Sequence, residues 1–157
     1  MVRMIKYKTR LTESKRVSLE KEVSVNMPNM VEVIRSPDDA HYLARNFIRL
    51  HEESEEYLYM ICMNTKNRII GVFEISHGNV NSSIVGVREI FQKALLANAV
   101  NIILMHNHPS GDSKPSREDV EVTKRLVEAG KIVGIDVLDH LIVGDGEYSS
   151  LKEKGYM

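Results

Sequence analysis

Asn101-Ile-Ile-Leu-Met-His106-Asn107-His108-Pro-Ser-Gly-Asp112-Ser-Lys-Pro115-Ser116-Arg-Glu-Asp119 is the stretch that decides the fold. Asn101 to Met105 reads as a buried strand, apolar from Ile102 onward as expected of a strand covered on both faces, and it leads straight into His106. Residues 106–115 are rich in Pro, Gly, Ser and Asp, so neither a strand nor a helix continues through them. Ser116 then opens a helix. Its hydroxyl suits the N-cap, Asp119 three residues on completes a capping pattern, and Val120, Val122, Leu126 and Val127 supply an apolar face up to Gly130. Beyond it, 135–143 reads as a strand, Asp145-Gly146 as a turn and 147–151 as a short closing strand.

Working upstream, residues 57–63 (Tyr-Leu-Tyr-Met-Ile-Cys-Met) form a second apolar run. Asn64-Thr-Lys-Asn67 is turn chemistry that joins it to a strand over 68–76 by a hairpin, and Gly78-Asn79 breaks that strand. A helix lies within 84–99, with Val87, Ile90, Phe91, Ala94, Leu95 and Ala99 on one face. Another starts at Ser36-Pro37-Asp38-Asp39, where a capping residue, a first-turn proline and two dipole-matched aspartates coincide, and its apolar spacing runs to about Leu50. Strands and helices alternating after a hairpin specify an α/β class, a three-layer α/β/α domain with a mixed β-sheet.

Composition narrows the function classes. The 157 residues fit one domain, and 43% apolar with 27% charged residues is the balance of a soluble globular chain. Twenty-one basic against 22 acidic residues argue against nucleic-acid binding by bulk charge. That balance is uneven: residues 1–21 hold seven basic and two acidic residues, a net of +5, and the remainder carries −6. Residues 1–28 lack a sustained apolar period and are expected to be a basic arm, mobile or packed on a neighbour, ahead of a domain over 29–157. The single cysteine, Cys62, excludes an internal disulfide and a cysteine-rich zinc site, and its apolar strand makes it inert core. No apolar leader and no bilayer-length run occur, so a cytoplasmic protein with no membrane partner is expected.

Any metal must therefore be held by His and carboxylate. Residues i and i+2 of a strand point the same way with their Cα atoms about 6–7 Å apart, so His106 and His108 can converge on one cation. Two histidines with one carboxylate and an open position is a common catalytic zinc set. Asp119, on the rigid first turn of a helix, and Asp112, in the loop, compete as the third ligand. The capping role of Ser116 and Asp119 is an alternative explanation for both residues.

His106-x-His108, seven residues, then Ser116-x-x-Asp119 resembles the JAMM (MPN+) metalloprotease motif, spacing included. The longer strings His-Asn-His-Pro-Ser-Gly-Asp, Pro-Ser-Arg-Glu-Asp and Ala-Gly-Lys-Ile-Val-Gly-Ile-Asp-Val-Leu-Asp-His resemble its bacterial RadC-like branch, over roughly residues 35–153. The resemblance implies the JAMM/MPN architecture, similar to that of cytidine deaminases. It implies Zn²⁺ held by His106, His108 and Asp119 with a fourth position for water, and Ser116 as the group that steadies this water and the oxyanion. It also implies a glutamate base at the start of an early strand. Glu56 matches that register, with Glu55 and Glu74 as neighbours to be distinguished. The activity implied is hydrolysis of a peptide or isopeptide-like amide.

His140 is expected to orient a ligand rather than bind metal, and His41, His51 and His77 to lie at the surface. The Pro109-Ser-Gly111 loop and the residues after Gly78 are expected to rim the cleft. Two rival readings stand beside the enzyme. One is a DNA-repair-associated protein that touches nucleic acid through the basic arm, although residues 1–35 show no helix-hairpin-helix signature. The other is a catalytically silent zinc-binding interaction domain. A zinc deaminase is excluded, since its Pro-Cys-x-x-Cys needs two cysteines.

Overall fold

In the computed structural model, which describes residues 1–78 and 86–157, seven strands form one mixed sheet. They are β1 (Val2–Leu11), β2 (Val17–Met27), β3 (Glu56–Met63), β4 (Ile69–Gly78), β5 (Asn101–Asn107), β6 (Asp136–Val143) and β7 (Tyr148–Ser150), in the order β2-β1-β4-β3-β5-β6-β7. Three α-helices are described: α1 (Pro37–Leu43), α2 (Val87–Leu96) and α3 (Arg117–Val133). The expected start of the second helix at residue 84, and the break at Asn79, lie outside the described residues.

The period of two along β3 sorts the core into layers. Tyr59, Ile61 and Met63 pack with Ala40, Leu43 and Ala44 of the α1 segment. Leu58, Met60 and Cys62 face the other way, onto Ile90, Phe91 and Ala94 of α2 and Val122 and Leu126 of α3. Helices thus cover both faces, which is why β3 and β5 read as unbroken apolar runs. The α/β/α architecture expected from the sequence is the one found.

Hydrogen bonding fixes the site-bearing strands relative to one another. β3 pairs antiparallel with β5, setting Leu58 opposite His106, and β5 pairs parallel with β6, setting His106 opposite Ile142. All the ends that carry His106, His108 and the start of α3 therefore gather at one end of the sheet, the carboxyl end of β5 and β6.

Residues 1–28 depart from the expectation of an arm. They form a hairpin, and β1 joins the sheet parallel to β4 through Lys6 opposite Val72 and Tyr7 opposite Phe73. Met4 is 1% exposed in the core, and the Tyr7 ring stacks on Phe73 at 5.7 Å. Gly71 permits this approach, since a Cβ there would lie 2.5 Å from the Tyr7 ring. The alternation was hidden because Lys6 occupies an inward position and a register shift falls between Lys6 and Tyr7. Lys6 is accommodated by Glu22 at 3.2 Å and Glu74 at 3.1 Å, and Arg10 pairs with Glu20 at 2.7 Å.

Two boundaries also differ. The helix expected to reach Leu50 stops at Leu43 and continues as a wide π turn over Ala44–Ile48, closed by Arg49 in the left-handed conformation (φ 61°). α3 passes through Gly130 to Val133 and ends on Gly134, whose φ of 81° suits a glycine C-cap. Gly130 instead marks close packing, since a Cβ there would meet the Ile135 carbonyl at 2.4 Å. No helix among the described residues is long and apolar enough to cross a membrane.

Candidate metal centre

His106 lies on the face of β5 that carries Ile102 and Leu104, the face covered by α3. It is 1% exposed. α3 brings Asp119 to the same point. The Ser116 backbone N–H donates to Asp119 Oδ2 at 2.7 Å, and the Asp119 N–H donates to Ser116 Oγ at 3.1 Å. The capping pattern is thus formed, and it does more than start a helix: it locks the carboxylate in one orientation, with Oδ1 turned to His106 and Oδ2 near His108. The structural and functional readings of Ser116-x-x-Asp119 are compatible.

Three ligand atoms converge. Nε2 of His106 lies 3.2 Å from Asp119 Oδ1, Nε2 of His108 lies 3.5 Å from Asp119 Oδ2, and the two Nε2 atoms are 3.0 Å apart. All three groups offer atoms within 4.8 Å of one another. Asp112, the competing third ligand, is used in the loop instead. Its carboxylate accepts from the Lys114 N–H at 2.9 Å, and its carbonyl accepts from His108 Nδ1 at 2.7 Å. Because a carbonyl only accepts, His108 carries a hydrogen on Nδ1, and in the neutral ring the Nε2 lone pair is directed at His106 and Asp119. Two imidazole nitrogens and a carboxylate meeting this way, in a water-poor recess, fit a borderline divalent cation such as Zn²⁺.

The electrostatics agree with that assignment. Burial alone would push the Asp119 carboxyl up, but the two histidines, when they carry a proton at Nε2, and Ser116 hold it far below the usual carboxylate range, so a proton and a cation compete for the same atoms. Its carboxylate in turn raises His108 above the ordinary histidine value, against the opposing effect of burial. Behind the centre, His140 is 2% exposed, and burial, with His106 adding to it, lowers it to about 3. Its ring touches His106 and stays out of the ligand cluster, as a residue that orients a ligand would.

The glutamates separate by face. Glu56 is the first residue of β3 and shares parity with Leu58, Met60 and Cys62, the α3 side. Its charge acts on His108. Glu74 pairs across the strands with Tyr59 on the opposite face, bonded to Lys6 at 3.1 Å and His77 at 3.0 Å. Glu55 precedes the strand and has the opposite parity.

Sequence reasoning missed Asn107 and Thr123. Asn107 accepts from the Tyr57 N–H at 2.7 Å and donates to the Glu55 carbonyl at 2.9 Å, so it clamps the backbone on either side of Glu56. Thr123 lies on the buried stripe of α3 with Asp119, Val122, Leu126 and Gly130. A polar residue on that stripe, one turn after Asp119, was the available signal. His77 is exposed as expected, whereas His41 and His51 are half-buried, His41 against the Tyr148 ring at 4.6 Å. A polar cleft of about 180 Å³ adjoins His108, rimmed by Pro109, Ser110 and Gly111 on one side and His51 and Glu53 on the other. The further rim expected after Gly78 lies outside the described residues.

The family model for the RadC-like JAB domain matches residues 34–156. A UPF0758 protein of Caldanaerobacter subterraneus is 55% identical over 123 residues, covering 78% of this chain and 52% of that protein. One from a Geobacillus strain is 52% identical over 126 residues (80% and 54%), and one from Methanosarcina barkeri 46% over 122 residues (78% and 52%). The chain spans about half the length of these relatives. Fold, motif spacing and these matches agree: the chain belongs to the RadC-like JAB-domain family.

Proposed function

We propose that the chain is a zinc-dependent hydrolase that cleaves an amide or isopeptide bond of a peptide-like substrate. The observation that supports this most directly is the convergence of His106, His108 and Asp119 within 4.8 Å, with Glu56 on the same face of the sheet. Bound there, Zn²⁺ would polarise the scissile carbonyl and bring the pKa of water from about 15.7 toward about 7.

The remaining chemistry belongs to the chain. Glu56 takes the proton from the attacking water and passes it to the leaving amine, the two proton transfers that amide hydrolysis requires. Ser116 accepts the helix-capping bond through Oγ and keeps its own O–H to donate to the developing oxyanion. The burial of His106 and Asp119 keeps bulk water from weakening these interactions. The cleft beside His108 is where a substrate chain reaches the centre.

The test combines metal analysis with a peptide and isopeptide panel. The purified protein should contain one zinc per chain, and Glu56→Gln should keep the metal and lose hydrolysis. A zinc-loaded wild type that cleaves nothing across the panel would favour the catalytically silent interaction domain. A protein with no affinity for zinc would remove both readings.

A further inference from the structure

A buried chain of hydrogen bonds runs behind the ligand cluster, linking α3, β6 and β5. Thr123 Oγ1 lies 2.6 Å from the Asp119 carbonyl and 2.6 Å from His140 Nδ1, and His140 Nε2 lies 2.8 Å from His106 Nδ1. Thr123 is fully buried, and His140 and His106 are almost so. The proton count along this chain has one solution when the rings are neutral. The Asp119 carbonyl only accepts, so it takes the single hydroxyl hydrogen of Thr123. The Thr123 oxygen then accepts, so the hydrogen of His140 sits on Nδ1. That leaves His140 Nε2 bare, as the acceptor of a hydrogen on His106 Nδ1.

We propose that Thr123 is a positioning residue that, acting through His140, fixes His106 in the Nδ1–H tautomer and so aims the lone pair of Nε2 at His108 and Asp119. The inference rests on the metal-centre reading above for its purpose, although the proton order itself holds with or without metal. Neutral His140 is required, and the surroundings supply the reason. Among the described residues no carboxylate bonds to its ring, and the Asp139 carboxylate beside it is occupied by the His140 N–H at 2.7 Å and the Ser150 hydroxyl at 2.6 Å. A cationic ring enclosed there would be desolvated without a hydrogen-bonded counter-ion. The opposite polarity would put a hydrogen on His106 Nε2 and block it as a ligand.

The same hydroxyl also reads the position of α3. Because Thr123 bonds to the carbonyl of Asp119, the tautomer of one ligand and the backbone of another depend on one oxygen atom. A valine there, equal in shape, removes both bonds at once, whereas serine keeps them.

The experiment uses histidine tautomer analysis by long-range proton–nitrogen NMR together with zinc affinity by chelator competition at fixed pH. The wild type should show His106 and His140 both hydrogenated at Nδ1, metal-free and zinc-loaded. Thr123→Val should bind zinc about 10–100-fold more weakly, the usual cost of losing a group that orients a ligand. Thr123→Ser should restore wild-type affinity and tautomers. A wild-type His106 without a hydrogen at Nδ1 would overturn the proposal, as would a folded Thr123→Val with unaltered affinity. If Thr123→Val does not fold, the wild-type tautomers and the serine variant decide. If the wild type does not bind zinc, the proposed function fails while the metal-free tautomers still decide the relay.

Discussion

Two clusters of ionisable groups lie on opposite faces of the same central strands, and they are built on opposite terms. On the α1 face, Lys6 donates to Glu74 and reaches Tyr59 Oη at 3.4 Å, Tyr59 Oη lies 3.3 Å from Glu74, and His77 Nδ1 lies 3.0 Å from the same carboxylate. The Glu74 carboxylate there meets its counter-ion in Lys6. On the α3 face, two imidazole nitrogens and a carboxylate turn lone pairs toward one point. The first cluster neutralises itself and stabilises the fold. The second fits a cation, and on the proposed reading that is the physical difference between a structural and a ligand-binding cluster.

Experiments can break that contrast. The largest effect is expected for His106→Ala, which should weaken zinc by more than about 100-fold, beyond the range for groups that merely orient ligands. Lys6→Met should leave zinc affinity unchanged in the same assay. If both variants lost zinc equally, the two faces would not be separable.

Next in size is Glu74→Gln, expected to lower stability toward urea by about 1 kcal/mol, a figure reduced for partial exposure. Burial favours the protonated Glu74 carboxyl, but the bonds from Lys6 and His77 outweigh it and set its pKa below the ordinary value. A carboxylate shifted down stabilises the fold above its unfolded pKa, and the gain disappears as pH falls through the folded value. Wild type should therefore lose stability on acidification more steeply than Glu74→Gln, by comparison of urea midpoints from neutral pH to the acid limb.

Cys62 provides a control that belongs to neither cluster. Burial pushes its thiol up to about 12, so a thiol reagent at pH 8 should react only after denaturant is added. The smallest effect concerns the hairpin. Replacing Lys8, Lys15, Arg16 and Lys21 together should leave duplex DNA affinity and its salt slope unaltered, and a fall in either would support the rival nucleic-acid reading. Substitution is preferable to deletion, which would take Met4 out of the core.

The same contrast explains what the sequence made legible. β3 and β5 announce themselves because burial on both faces writes apolar runs, and α3 does so through its apolar stripe and a cap at each end. His106, His108 and Asp119 were legible through a fixed spacing on a strand end and a first helical turn. The hairpin was not, since an inward lysine satisfied by two distant glutamates looks in sequence like an exposed charge. Thr123 and Asn107 were hidden for a related reason. Their partners are backbone groups and a ring that only tertiary structure brings near; Asn107 carries no spacing signal, and Thr123 offered only its place on the apolar stripe of α3.

Asn107 has a consequence for anyone who would move this motif to another scaffold. The residue between the two histidines looks like a spacer, yet it bonds to the backbone at Glu55 and Tyr57 and so sets where Glu56 stands. Grafting two histidines and an aspartate would transplant the three candidate ligands without the register of the proposed base. The transferable unit is the pair of adjacent strands, tied together by the side chain of the residue in the middle.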